Sequence, residues 1–304
     1  MPVPGSLPII DAHHHFWDLS RGRYPWLQDD VIETFRYGNY ARIRRDYLPD
    51  DFRRDHGHHT IVASVHMEAE YDTADPVAET RWLHEIAEQH GLPSVVIGQA
   101  WFCRDDIATL LAAHAEYPLI RGIRQKPAAA PSPDTVVPNA PGTLSDPAFR
   151  AGYAHLAAHG LHYDMQVPWW HLEEAAALAR DFPETLIILN HTGLPADRSD
   201  RGLSGWQAGM EAFAAEPNTA VKISGIGVPG QPWTVERNRH VVLTTIRTFG
   251  VDRCMFASNF PVDGLVADYE TIFDGFLEIT RDLGEPAQRK LFHDNAKRYY
   301  RIDI

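Results

Sequence analysis

Short apolar runs that stop abruptly at a polar, imidazole or turn-forming residue recur eight times along the chain. They fall at residues 7–13, 60–66, 95–101, 119–124, 161–166, 186–191, 219–224 and 254–258. Runs this short, bounded on both sides by breakers, have the length of buried strands rather than of helices. Between most of them lie Ala-rich stretches of helical period, at 75–90, 105–116, 147–159, 172–181, 205–215 and 236–249, and a seventh at 267–283 follows the last run. Strands alternating with helices imply right-handed crossovers and a parallel sheet, and eight such units close a (β/α)8 barrel. The pattern therefore predicts an α/β fold: a single TIM-type barrel domain spanning residues 1–304. A doubly wound open sheet is the competing topology, but no glycine-rich turn of the dinucleotide-binding kind follows any of the runs.

Two stretches interrupt the repeat. Residues 16–55, between the first and second strands, are long and aromatic, with Trp17, Tyr24, Trp26, Phe35, Tyr37 and Tyr40. Residues 126–147, directly after the fourth, are rich in proline. In a barrel both leave the C-terminal face, where substrates bind, so a long β1–α1 loop and a long β4–α4 loop are expected to wall the site.

Composition narrows the class. Lys and Arg number 28 against 41 Asp and Glu, a formal charge of −13. A phosphate-neutralising surface is thus missing in bulk, and nucleic acid is not expected as a partner. No apolar run of membrane-spanning length occurs, and the start Met1-Pro2-Val3-Pro4-Gly5 has neither the basic nor the apolar region of a leader, so no membrane partner and a cytoplasmic location are expected. An oligomer is compatible with this composition. The two cysteines, Cys103 and Cys254, sit in apolar stretches and are expected to be small buried side chains. Of 17 histidines, His84, His90, His114, His155 and His159 fall in helix-like segments and are expected at the surface.

The chemistry is expected at strand ends. The first strand closes Asp11-Ala12-His13-His14-His15-Phe16-Trp17, and simple alternation puts Asp11, His13 and His15 on one side. Two imidazoles converging on one point can hold a divalent metal or polarise a substrate oxygen. The sixth strand stops at His191, which the barrel would carry to the same mouth. Strand four offers Arg121 and Arg124 on opposite faces. Arg124, nearer the strand end, is expected in the pocket to grip a carboxylate, and Arg121 to pair with an acid between barrel and helices. His66 and Glu68 on strand two, Trp101 after strand three and Trp17 are candidate substrate-binding residues, and Trp169-Trp170 could cover a ring.

These segments together resemble the amidohydrolase superfamily in its lactonase-like branch. The resemblance rests on Asp11-Ala12-His13-His14-His15-Phe16-Trp17, Val65-His66-Met67-Glu68-Ala69, Arg121-Gly122-Ile123-Arg124-Gln125 and Asn190-His191-Thr192-Gly193. It continues through Val221-Lys222-Ile223-Ser224-Gly225, Ala257-Ser258-Asn259-Phe260-Pro261-Val262-Asp263 and Asp294-Asn295-Ala296-Lys297-Arg298-Tyr299. It implies a barrel hydrolase that opens a cyclic ester, a sugar lactone or a pyrone- or muconolactone-type carboxylate, by water attack at the carbonyl. It makes His13, His15 and His191 the catalytic or metal-holding imidazoles. Some members of the branch hold zinc or a similar divalent ion and others work without one. The branch's usual aspartate falls at Asn259, which supplies neither an anionic ligand nor a base, so a bound metal is less expected here and Asn259 is read as substrate-binding. Asp263 is the expected replacement carboxylate, with Asp164 and Asp11 behind it. The substrate is expected to be a small anionic or polyhydroxylated molecule, with no organic cofactor. Two alternatives stand beside this reading: a metal-dependent non-oxidative decarboxylase of an unsaturated or aromatic acid, and a catalytically impaired ligand-binding barrel.

Overall fold

The computed structural model describes residues 7–29 and 31–304; the Met1–Gly5 start lies outside the described residues. Eight parallel strands follow one another around the sheet in chain order: β1 (Ile9–His14), β2 (Ile61–Met67), β3 (Val95–Gln99), β4 (Ile120–Gln125), β5 (His162–Met165), β6 (Ile187–Leu189), β7 (Thr219–Ile223) and β8 (Cys254–Phe256). Every predicted run overlaps one of them, with ends that agree within a few residues. The ring closes just past β8, where Asn259 N–H donates to His13 O at 2.8 Å and His15 N–H to Phe260 O at 2.8 Å. This is the (β/α)8 barrel that the pattern predicted. Helices Ala78–His90, Ile107–Ala115, Pro147–Tyr153, Leu172–Asp181, Asp200–Ala214, Val235–Phe249 and Tyr269–Thr280 occupy the seven predicted helical stretches. Among the described residues, no helix is long and apolar enough to cross a membrane.

Two apolar cores follow from strand alternation. Ile10, Ala12, Ala63, Val65, Ile97, Ile188, Ala220 and Met255 pack with Tyr300 from the chain's end. A larger cluster, including Leu83, Leu111, Phe149, Met210, Phe256 and Phe276, joins the sheet to its helices.

Alternation fails at one place that matters. Asp11 aligns with Ser64 of β2 and His14 with His66, so three residue steps of β1 span two of β2. This bulge reverses the parity of the strand. Asp11 therefore does not share a side with His13 as expected. It accepts from Tyr269 Oη at 3.0 Å, on a helix packed outside the sheet, and from Ser258 N–H at 2.9 Å.

Other expectations are also corrected. Cys103 is exposed beside Asp146, whereas Cys254 is buried. His114 is buried, because its ring bridges Thr80 Oγ1 and the Gln99 carbonyl. Arg121 forms no ion pair within 4 Å among the described residues; its guanidinium donates to the carbonyls of Tyr300, Pro118 and Ile120.

Candidate active site

At the C-terminal end of the barrel a cavity of about 250 Å³ is lined by His15, Arg36, Glu70, Arg124, Lys126, Gln166, His191 and Asn259, with Trp26, Ile32 and Phe35 on its apolar side. The loop between β1 and β2 supplies that apolar wall, as expected of it. Lys126 opens the second long loop, which further along contributes Pro133 and Asp134 to an adjoining cavity of about 680 Å³. Arg36 lines both cavities, and Trp169, Trp170 and Arg198 line the larger one.

Two of the three predicted imidazoles, His15 and His191, line this cavity, and His13, fully buried, packs against both from behind it. The His13 ring lies 5.1 Å from that of His15 and 4.7 Å from that of His191, centre to centre. His15 Nδ1–H donates to the Met67 carbonyl at 2.8 Å, which fixes its tautomer and leaves Nε2 as a lone pair. His191 Nδ1 lies 2.9 Å from Ser224 Oγ. The residue sits at φ 56°, in a sharp turn with Thr192 at φ 50°, and this turn ends β6. Gly225 makes the approach possible: a Cβ there would lie 2.6 Å from His191 Nδ1 and 2.8 Å from Arg36 Nη2.

All three rings are neutral near pH 7. Burial holds each well below the usual imidazole range, and neighbouring cations add to it: Lys222 first at His13, Arg124 at His15, Arg36 at His191.

Arg124 is placed by Glu68, whose Oε1 accepts from its Nε and whose carbonyl accepts from Nη2; Nη1 lies 3.4 Å from Gln166 Oε1. Glu68 thus orients the arginine, and with Trp101 it lines a neighbouring surface cavity that shares Arg124 and Lys126. His66 and Trp17 do not line the imidazole cavity. His66 Nδ1 accepts from Phe16 N–H at 3.1 Å, and Trp17 is buried against Arg45 O, its ring stacked 6.1 Å from His15. Both therefore support the strand end from outside the cavity.

The expected carboxylates are all engaged. Asp263 does not line the cavity; its Oδ1 accepts from Asn259 Nδ2 at 2.6 Å, Tyr37 Oη at 3.0 Å and Arg36 Nη2 at 3.3 Å. Burial raises its pKa, against the pull of Arg36. Asp164 lies 2.5 Å from Lys222 Nζ in a fully buried pair, and accepts from Tyr300 and Asn190 while its Oδ2 meets His162. Burial pushes Asp164 up, but Lys222 and His162 outweigh it and carry the group below the usual carboxylate range. Burial brings Lys222 down to about 8 against the pull of Asp164. Its Nζ stands 3.5 Å from His13 Nδ1, so the pair reaches the imidazole cluster from below.

Arg36 was not anticipated from the sequence, nor was Lys222 as the partner of Asp164, which was expected only as a candidate carboxylate. Arg36 lies mid-loop with no periodicity to mark it. Lys222 interrupts an otherwise apolar strand, and that was the available signal.

A divalent ion does not fit these residues. Among the described residues, the one group of three His, Cys, Asp or Glu side chains whose donor atoms lie within 4.8 Å of one another is His58, His59 and Asp274, remote from the cavity. The donor atoms of His13, His15 and His191 do not converge in that way, His13 Nδ1 faces the Lys222 ammonium at 3.5 Å, and position 259, an amide turned toward Asp263, adds no anionic ligand. Four cations, Lys222, Arg124, Arg36 and Lys126, stand around or against the cluster, each paired with a carboxylate: Asp164, Glu68, Asp263 and Glu70 in turn. The ammonium and guanidinium groups nearest the rings, Lys222, Arg124 and Arg36, add repulsion to any divalent ion placed among them.

Comparison with known proteins agrees with the barrel. The pattern of the amidohydrolase family matches residues 10–302, and the chain belongs to that family. It is 42% identical to the uncharacterised protein y4mH of Sinorhizobium fredii, over 98% of this chain and 99% of the relative. It is 26% identical to an L-fucono-1,5-lactonase of Burkholderia ambifaria, over 97% of this chain and 96% of that enzyme. Among solved structures, an amidohydrolase from Burkholderia multivorans with bound zinc superposes with a TM-score of 0.79 at 25% identity, covering 97% of this chain and 99% of that one.

Proposed function

We propose that the protein is a single-domain, metal-independent hydrolase that opens a lactone carrying a carboxylate or similar anionic substituent. One observation carries the reading: neutral imidazoles share a cavity of about 250 Å³, the size of a small cyclic ester, with Arg36, Arg124 and the Lys126–Glu70 pair. The lactonase named among the relatives supports the bond type. Arg124 and Lys126 hold the anionic substituent, Arg124 through its guanidinium fork.

With Ser224 Oγ–H donating to His191 Nδ1, Nε2–H of His191 and the second Nδ2–H of Asn259, whose first is held by Asp263, are the donors for the carbonyl oxygen, and they stabilise the charge that develops there. His15 Nε2 takes the proton from the attacking water as its oxygen bonds to the carbonyl carbon. The ring C–O bond then breaks, and the same proton passes to the departing alkoxide, leaving a hydroxy acid. The base is thus an imidazole rather than the carboxylate expected from the sequence, because Asp263, Asp164 and Asp11 are each held by several donors.

A panel of sugar lactones and pyrone carboxylates, followed by pH-indicator release with and without chelator, tests the proposal. Acid release from an anionic lactone that chelator leaves unchanged is expected. Activity lost on chelation and restored by zinc would overturn the metal-independent mechanism, and carbon dioxide release without lactone opening would overturn the reaction.

A further inference from the structure

A second constellation lies on the outside of the barrel. The turn between helix Pro49–Asp55 and β2 carries His58 and His59, and helix Tyr269–Thr280 presents Glu270 and Asp274 to it, one turn apart on the same face. Asp274 Oδ1 lies 3.2 Å from His58 Nε2 and 3.5 Å from His59 Nε2. We propose that His58, His59 and Asp274 form a binding site for a divalent transition-metal ion of the zinc class.

Three observations carry it. A tetrahedral zinc with bonds of about 2.1 Å sets its donor atoms about 3.4 Å apart, and the two edges to Asp274 Oδ1, 3.2 and 3.5 Å, straddle that value. The support behind the ligand is also in place: His58 Nδ1 lies 2.5 Å from Glu270 Oε1, which accepts from the His58 backbone N–H as well at 3.1 Å. A carboxylate on Nδ1 directs the Nε2 lone pair outward, the arrangement that orients histidines on zinc. Gly57, at φ +55°, admits that carboxylate, since a Cβ there would lie 2.1 Å from Glu270 Oε1. Finally, the His59 side chain is only 4% exposed, packed beside Tyr269 and Phe273, yet its Nε2 has no hydrogen-bond partner among the described residues. An imidazolium at His58 would satisfy Glu270 and Asp274 by itself, but it leaves that buried nitrogen facing a carboxylate with nothing between them. A cation bound by both rings accounts for all three groups, with water as the fourth ligand.

The site ties the turn that precedes β2 to the helix that follows β8, so the ion would brace the barrel across its closure without touching the imidazole cavity. Zinc content and metal dependence of turnover thus become separate quantities in this protein. The inference stands independently of the hydrolytic reading.

The test uses tag-free full-length protein, stripped with chelator and titrated with zinc chloride by calorimetry, with zinc-edge X-ray absorption on the loaded sample. One ion per chain is expected, in a shell of two imidazole nitrogens and carboxylate and water oxygens. Asp274→Asn and His58→Ala, both exposed positions, should each weaken binding at least tenfold and cancel the rise in thermal midpoint that zinc gives the parent chain. His191→Ala should leave stoichiometry and affinity unchanged. Failure to take up zinc, affinity unchanged in Asp274→Asn, or loss of the ion in His191→Ala would each overturn the assignment.

Discussion

His15 and His191 look alike in sequence, each an imidazole at a strand end, but the atom that each Nδ1 meets gives them different tasks. A backbone carbonyl forces Nδ1–H on His15 and makes Nε2 an acceptor, whereas the Ser224 hydroxyl lets His191 be a donor. His191→Ala should therefore lower kcat by about 100- to 1000-fold, the usual cost of one oxyanion donor, with an unchanged circular-dichroism spectrum. His191→Asn, which accepts positive φ readily, controls for backbone effects of the substitution. Burial and Arg124 hold the His15 pKa well below the usual imidazole range. kcat/KM should accordingly stay level as pH falls through 6.5, and an acid limb at or above that value would point to another base. Arg124→Lys keeps the charge but loses the fork that Glu68 holds, so KM for an anionic lactone should rise roughly tenfold or more in steady-state kinetics. Asp11 offers a stability test. Burial raises its pKa from 3.8 to about 6 against the hydrogen bonds of Ser258, His13 and Tyr269. Between those values the folded chain keeps a proton that the unfolded chain has lost, so stability falls as pH rises from about 4 to about 6. Urea unfolding should show the parent losing on the order of 3 kcal/mol over that interval relative to Asp11→Asn, which cannot titrate.

At the level of elements, the strands and helices were legible because barrel strands are buried on both faces and read as apolar runs, while their helices keep a polar outer face. His13, His15, His191 and Arg124 were legible for the related reason that a polar residue closing such a run stands at the mouth. What escaped was set by backbone detail that side-chain patterning does not encode. The bulge in β1 adds one residue between Asp11 and His14 and turns Asp11 outward, and no property of Ala12 announces it. The turn after β7 is similar: Ser224 and Gly225 follow an apolar strand, and nothing in that order reveals that the glycine leaves room for two side chains from distant segments. Gly225 at φ +59° brings His191 and Arg36 to distances that any Cβ would block. Gly225→Ala should therefore cost about 1–3 kcal/mol of stability from crowding and strain, and reduce kcat/KM more than tenfold by displacing His191. Denaturant unfolding alongside kinetics separates the two effects, since a purely structural glycine would lower stability and leave kcat/KM of the folded fraction unchanged.

Across the whole molecule, polar contacts run through the barrel from its mouth to its base. His13 meets Lys222, Lys222 pairs with Asp164, and Asp164 gathers His162, Asn190 and Tyr300, the last brought in by the closing segment of the chain. The same segment is fixed to β8 by Asn295, whose Nδ2 donates to the Cys254 carbonyl at 2.8 Å. A buried ion pair seldom adds net stability over an apolar replacement, but breaking it on one side strands a charge. Lys222→Met should therefore destabilise the protein by about 3–5 kcal/mol, measured by denaturant unfolding, because Asp164 keeps its carboxylate with no cation beside it. Adding Asp164→Asn removes the stranded charge while leaving an acceptor for Tyr300, so the double variant should recover most of that loss. Turnover distinguishes scaffolding from positioning. If Lys222 serves only the fold, the double variant regains activity together with stability. If its ammonium also sets the tautomer of His13 at 3.5 Å, the refolded double variant stays about 10- to 100-fold slower than the parent, as when a supporting partner of a functional histidine is removed. The second outcome is expected, because His13 Nδ1 meets no other donor from the described residues and its Nε2 is buried beside the ring of His191.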